Sequence, residues 1–267
     1  TSDLDDIDFN NLTILAIPSH AIGDFLLKCD LKKGQYLIVS KGFDPDSTSL
    51  LSDILQNTYD VDLSNIAVLS GPNHAEEIIS GMASATVIAS TNQNYAKELQ
   101  SLFSSDTFRV YTSKDIIGVQ VGGAIKNIIA IASGLCVGLK LGDNTQAALV
   151  SRGMNEILNL SNIYNLDKKT LYGLSGLGDL IATCYSPHSR NRQLGILIGQ
   201  GKSLQDAKSE IGMVSEGINT CKILNKISNK HNIEMPICSE AYKILFENSD
   251  PKNSLYNLMT RSLKVEN

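Results

Sequence analysis

The chain has 267 residues, 42% of them hydrophobic, 19% charged and 6% aromatic, which excludes a disordered, collagen-like or disulfide-scaffold protein. Twenty-three basic residues against 28 acidic ones leave a net charge of −5, so no broad surface recruits nucleic acid or an anionic membrane. An anionic ligand has to be caught by a few placed donors.

The first ten residues, TSDLDDIDFN, are acidic, the reverse of the positively charged start of an export signal. Five scattered cysteines (Cys29, Cys136, Cys184, Cys221, Cys238) form no CxxC spacing and read as reduced thiols of a cytoplasmic protein. Apolar runs of strand length then recur at 12–18, 36–41, 66–70, 85–90 and 108–112, with helical patterns between them at 22–29, 49–56, 75–82 and 94–103. Near-continuous apolar strands separated by helices predict an α/β layer, doubly wound around a mostly parallel sheet. After residue 113 the strand signals stop, and helical patterns follow at 115–132, 145–160, 168–174, 190–199, 203–211, 216–228, 239–247 and 251–261. The expected organisation is an α/β domain over 1–113 and an all-α domain over 114–267.

Residues 116–139 are long and apolar enough to span a bilayer, but Lys126 and Asn127 sit near their middle. A central lysine costs about 2.5–3.5 kcal/mol on insertion scales, so a buried helix of a soluble protein is predicted, with no membrane insertion. A lysine in such a helix needs a reason to be there.

A doubly wound nucleotide-binding sheet opens with a strand and G-x-G-x-x-G, whose glycines let the backbone approach a pyrophosphate at a helix N-terminus. Here the first strand runs into Pro18-Ser19-His20, and no glycine fingerprint follows any early strand. The sheet is expected either not to bind a nucleotide or to lack its opening β-α-β portion.

Four patches carry candidate chemistry. Ser70-Gly71-Pro72-Asn73-His74-Ala75-Glu76-Glu77 follows a strand, with Asn73 and Glu76 at capping-box spacing; it reads as a capped turn or as an anion site at a helix start. In Gly122-Gly123-Ala124-Ile125-Lys126-Asn127, two helix-interior glycines cost about 1 kcal/mol each against alanine, so something approaches closely there. Its lysine is either a buried proton donor and acceptor or a snorkelling, carboxylate-paired side chain. In Leu174-Ser175-Gly176-Leu177-Gly178-Asp179, the aspartate reads as an N-cap, yet Asp179 and Thr183 at i and i+4 share a helix face. In Ser189-Arg190-Asn191-Arg192, cations in a first helical turn oppose the macrodipole unless a phosphate supplies the negative charge. His20, His74, His188 and His231 have no metal-like spacing, so no metal site is expected; there is also no G-x-S-x-G elbow and no P-loop.

In collinear order from about residue 2 to about residue 260, these blocks resemble the bacterial NAD(P)-dependent glycerol-3-phosphate dehydrogenases. The resemblance is carried by SKG (40–42), SGPNHAEE (70–77), IGVQVGGAIKNIIAIASG (117–134), GDNTQAALVSRG (142–153), GLGDLIATC (176–184), SRNR (189–192), SEG (215–217) and MPI (235–237). It implies hydride transfer between NAD or NADP and the pair sn-glycerol 3-phosphate and dihydroxyacetone phosphate, feeding glycerophospholipid synthesis. It also implies an N-terminal Rossmann domain, an all-helical substrate domain and a cytoplasmic homodimer. Lys126 matches the catalytic lysine and Lys41 the second active-site lysine. Gly71, Asn73, Asp179, Ser189, Arg190 and Asn191 match substrate positions, and Lys41, Lys126, Asn127 and Thr183 are expected to bind the substrate with them. Ala75, Arg190, Val214 and Glu216 match cofactor contacts, and Pro18 at the end of the first strand is expected beside them. Asn73 stands where the family usually has Ser or Thr, and Ser215 where it has valine. Compared with the family, roughly two βα units are missing at the start, on the order of 60–70 residues, so the NAD or NADP preference is not legible. Two other readings follow: an inactive remnant that binds triose phosphate or a protein partner, and a different two-domain dehydrogenase such as a ketopantoate reductase. The GLGDLIATC and SRNR blocks argue against the latter.

Overall fold

The computed structural model describes residues 9, 11–29, 31, 34–212, 216–263 and 265–266. Among the described residues, five strands, β1 (Leu12–Leu15), β2 (Gln35–Ile38), β3 (Ile66–Ser70), β4 (Ser84–Ala89) and β5 (Phe108–Ser113), form one sheet in the order β1-β2-β3-β4-β5. β1, β2 and β3 pair in parallel, as do β4 and β5, while β3 and β4 are antiparallel. The reversal has a length argument. Helix α3 (Ala75–Ile79) is the only helix between β3 and β4 and rises about 7.5 Å, too little to carry the chain back along a strand of about 17 Å. The chain therefore re-enters the sheet from the end at which it left.

Every residue of β3 is buried, which explains its unbroken apolar run. Alternation along the strands splits the core: Tyr36, Ile38, Ile66 and Val68 pack with α1 (Ser19–Leu26) and α2 (Leu51–Tyr59). Leu37, Ala67, Leu69 and Ile88 pack on the other face with Tyr95, Ala96 and Leu99 of α4 (Gln93–Phe103). Ile14 on the outer strand β1 stays 46% exposed.

The other half is helical: α5 (Ile116–Gly138), α6 (Asp143–Asn159), α7 (Lys168–Tyr172), α8 (Asp179–Tyr185), α9 (Arg190–Gly199), α10 (Leu204–Ile211), α11 (Glu216–His231), α12 (Pro236–Phe246) and α13 (Pro251–Met259). α5 runs through the centre of this half; its most apolar 18-residue window is 89% buried within the protein, which accounts for its membrane-like hydropathy. It continues six residues beyond the predicted end at 132, because Gly134 and Gly138 serve packing rather than termination. A Cβ on Gly134 would stand 2.9 Å from the Cα of Gly195, and one on Gly138 would stand 2.9 Å from the Cα of Gly199. The two helices thus cross backbone to backbone through paired glycines.

Other boundaries shift for local reasons. α12 starts at Pro236, three residues early, since proline suits the first helical turn. The pattern predicted over 168–174 stops at Tyr172 and passes into a π-helical turn, Leu174–Gly178. The backbone N–H groups of Ile237 and Cys238, next after the proline, donate to the buried Glu156 carboxylate at 2.6 and 3.1 Å, which ties α12 to α6. Burial outweighs these hydrogen bonds and pushes the Glu156 carboxyl up to about 7.

Two outcomes follow. Gly195→Ala, whose methyl would meet the Leu135 backbone nitrogen at 2.8 Å, is expected to lose about 1–3 kcal/mol in urea denaturation. Glu156 binds its proton more tightly folded than unfolded, so its contribution to stability is present below pH ~4.5 and lost as pH rises towards 7. Comparing wild type with Glu156→Gln near pH 5 and near pH 7.5 should show the variant's stability falling less with pH, by about 2–3 kcal/mol.

Candidate active site

The carboxyl ends of β2 and β3 meet the helical half at a cavity of about 320 Å³. Lys41, just beyond β2, donates from Nζ to the Gly71 carbonyl (3.1 Å), Asn73 Oδ1 (2.9 Å) and Asp179 Oδ2 (2.8 Å). Lys126 of α5 donates to Asp179 Oδ1 and, at 2.9 Å, to Thr183 Oγ1. Two lysines therefore share one carboxylate. Lys126 is 6% exposed and Asp179 1%, so the lysine is buried and paired rather than snorkelling. Thr183, one turn after Asp179 on α8, donates a hydrogen bond from its hydroxyl to the Asp179 carbonyl at 2.7 Å.

The glycines of α5 make this approach possible. A Cβ on Gly122 would meet the Ser175 carbonyl at 2.7 Å, and one on Gly123 would run into the Ser70 hydroxyl at the end of β3. The 174–178 turn and the end of β3 can close on α5 beside Lys126 only because those side chains are absent. Two cap expectations change. Asn73 does not form a capping box: His74 holds the N-cap position of α3 without a side-chain cap bond, and the Asn73 oxygen serves Lys41. Asp179 is not an N-cap either, since the π-helical turn already precedes α8 and its carboxylate is taken by the lysines.

The electrostatics follow from burial and charge. Desolvation pulls the Lys126 ammonium down to about 8, and Lys41 adds to the pull while Asp179 opposes it. Burial alone would raise the Asp179 carboxyl, but the two lysines overcome that and hold it below the ordinary carboxylate range. Lys126 is thus a group that exchanges its proton near neutral pH.

At the far side, Ser189 caps α9 by accepting from the Arg192 N–H at 3.2 Å. Asn191 is fixed twice: its Nδ2 donates to Asn127 Oδ1 at 2.9 Å and its Oδ1 accepts from the Gly217 N–H at 3.1 Å. Arg190 lines the cavity but is solvent-exposed. Glu216, the first residue of α11, accepts from the Ser19 N–H (3.3 Å) and Oγ (2.8 Å) at the start of α1. Of the residues expected from sequence, Lys41, Asn73, Ala75, Lys126, Asn127, Asp179, Thr183, Ser189, Arg190, Asn191 and Glu216 all line this cavity. Gly71 reaches it only through its carbonyl, and Pro18 stands outside its lining, at the N-cap of α1. Val214 lies outside the described residues. His74, Glu76 and His188 also line the cavity and were not expected there. Their adjacency to Asn73 and Ser189 was the available signal.

Residues 1–96 match the family described as NAD-dependent glycerol-3-phosphate dehydrogenase N-terminus, and residues 115–256 match the corresponding C-terminus. A glycerol-3-phosphate dehydrogenase [NAD(P)+] of Clostridium acetobutylicum is 44% identical over 256 residues, covering 95% of this chain and 76% of that protein. The enzyme of that name from a Thermoanaerobacter strain is 43% identical, covering 100% and 81%. The crystal structure of glycerol-3-phosphate dehydrogenase from Coxiella burnetii superposes with a TM-score of 0.88 at 34% identity, covering 94% of this chain and 77% of that one.

The sign of each neighbour's effect on Lys126 is testable by NMR titration of its ε-carbon. Lys41→Met removes a like charge and should move the Lys126 midpoint above about 8, whereas Asp179→Asn removes its counter-charge and should move it below. A midpoint unmoved by both changes would show that the carboxylate does not couple the two lysines.

Proposed function

The chain belongs to the NAD-dependent glycerol-3-phosphate dehydrogenase family, and on that premise we propose that the cavity around Lys126 is where it interconverts sn-glycerol 3-phosphate and dihydroxyacetone phosphate. The chain is an NAD(P)-dependent oxidoreductase. The observation that carries the placement is the pair of lysines on one buried carboxylate, facing an arginine at a helix start across a single cavity.

Bound NAD(P)(H) supplies or accepts the hydride at the substrate's C2. Lys126 handles the accompanying proton. In reduction its ammonium donates to the C2 oxygen, and in oxidation its neutral amine takes the hydroxyl proton. With the amine poised at about 8, both forms are available near neutrality. Lys41, anchored by Gly71, Asn73 and Asp179, adds a second fixed positive charge against the negative oxygen that develops. Arg190 holds the phosphate together with Ser189 and Asn191, and Asn127 fixes the orientation of Asn191. Energy gained at that remote phosphate holds C2 in place for reaction.

The residues present fit a dinucleotide's reactive end. Ala75, Arg190 and Glu216 line the same cavity, and Glu216 connects it to the start of α1 beside Pro18. Either NAD or NADP is accommodated in this reading. The α/β half, 1–113, then serves the cofactor and the helical half, 114–267, the substrate. We assign the protein to the cytoplasm as a homodimer without membrane insertion, supplying glycerol 3-phosphate to glycerophospholipid synthesis. The inactive-remnant reading is not favoured, because Lys41, Lys126 and Asp179 are not merely retained but joined in one hydrogen-bonded cluster.

Oxidation of NADH and NADPH with dihydroxyacetone phosphate tests both ends of the site. Lys126→Ala should lower kcat by about 10²–10⁴-fold while the protein stays folded, and near-normal kcat would remove its role. Arg190→Ala should raise KM for dihydroxyacetone phosphate by roughly tenfold or more with a smaller change in kcat; an unchanged KM would take it out of the clamp.

A further inference from the structure

Resting on the reading that a phosphate ester enters this cavity, we infer that His74 and His188 act as a pair that takes up a proton when the ester binds. They thereby select a dianionic substrate over its uncharged analogue. The two imidazoles lie with ring centroids 6.4 Å apart and planes inclined by 51°. They come from different elements: His74 holds the N-cap position of α3, and His188 is two residues ahead of Arg190. Both line the cavity. The Nε2 of His74 is shielded from solvent and has no hydrogen-bond partner among the described residues. A buried polar atom of that kind is rare without an occupant that completes it.

The charges around the pair explain why it should respond to phosphate. Lys126, Asp179, Glu77 and the Ala182 carbonyl face His74, and the cavity wall adds Lys41, Arg190, Glu76 and Glu216. Along the wall the three cations Lys41, Lys126 and Arg190 are matched by the three acids Glu76, Asp179 and Glu216. An arriving dianion is therefore not balanced in advance. Lys126 is already committed to Asp179, which leaves the His74 imidazole as a side chain of this wall able to gain positive charge near neutral pH. Burial, and then Lys126, hold His74 below the ordinary histidine range, so the ring starts neutral. A phosphate oxygen beside Nε2 reverses that preference, because it offers an acceptor and a negative charge together. The proton comes from solvent and is returned when the ester leaves.

The test is calorimetric titration of glycerol 3-phosphate into the protein near pH 7 with NADH present, which prevents turnover. Two buffers of different ionisation enthalpy then give the number of protons taken up. Because the ester's own second ionisation, near pH 6, contributes equally to every protein, the difference between wild type and variants is the readout. Wild type should take up about half a proton more than His74→Gln or His188→Gln. The variants should bind roughly three- to tenfold more weakly near pH 6.5 and converge on wild type by about pH 8.5. Equal proton uptake in all three proteins would overturn the inference, as would an affinity loss that is constant across pH. Absence of any binding by wild type would instead remove the phosphate-ester reading of the cavity, and this inference with it.

Discussion

One buried carboxylate between two ammonium groups sets the conditions for the rest of this molecule. Asp179 sits in α8, Lys126 in α5 and Lys41 at the end of β2, so a single side chain joins both helices of the active centre to the sheet. An unpaired aspartate at that depth would lose its hydration with no return, and removing one partner of such a cluster is commonly far worse than never having it. The arrangement nonetheless leaves one positive charge more than the carboxylate can match. That surplus keeps the Lys126 proton exchangeable, and it makes the cavity a place where an oxygen gaining negative charge is stabilised.

The surrounding packing can be understood as what it takes to bring those three groups together. Gly122 and Gly123 clear a path for the 174–178 turn and for Ser70 at the end of β3. Lower on the same helix, Gly134 and Gly138 let α9 lie against α5, and α9 is the helix whose first turn carries Ser189, Arg190 and Asn191. The chain accepts five glycines within α5, each unfavourable to a helix in isolation, because burial of so apolar a helix stabilises it far more than they weaken it. From α9 the order passes outward: Asn191 grips Asn127 and the backbone of Gly217, and Glu216 then grips the start of α1. Substrate-side and sheet-side elements are therefore linked by specific hydrogen bonds as well as by apolar contact.

Legibility in the sequence followed the strength of local signals. Apolar runs located all five strands, and Lys126 stood out because a cation inside so hydrophobic a helix needs a reason, although a snorkelling or carboxylate-paired side chain was as open a reading as proton exchange. The paired glycines announced a close approach, though not what approached. Long-range partners were beyond the reach of spacing. Asn73 and Asp179 both looked like helix caps because capping residues are those with short polar side chains, and those same side chains serve equally well as acceptors for a distant lysine. The antiparallel β4 was hidden because direction in a sheet depends on connection length, not on composition. Glu156 gave no sign of capping α12, its partners being 81 and 82 residues away. The substrate itself was named by collinear resemblance; physical chemistry alone gave a proton-exchanging lysine and an anion clamp.

The two ends of the cavity differ in a way that suits their tasks. Around Lys126 the donors and acceptors are buried and mutually satisfied, so little reorganisation remains when charge moves onto the substrate oxygen. At the phosphate end Asn191 is fixed, but Arg190 is exposed and keeps the freedom of a long side chain. Rigidity where bonds change lowers the barrier only if the reacting carbon is delivered to the right place. Freedom at the clamp lets a phosphate be captured from water before it is held. A loss at the clamp should therefore fall mainly on substrate affinity, and a loss in the lysine–aspartate cluster mainly on turnover, because one carboxylate governs both the position and the proton affinity of the catalytic amine.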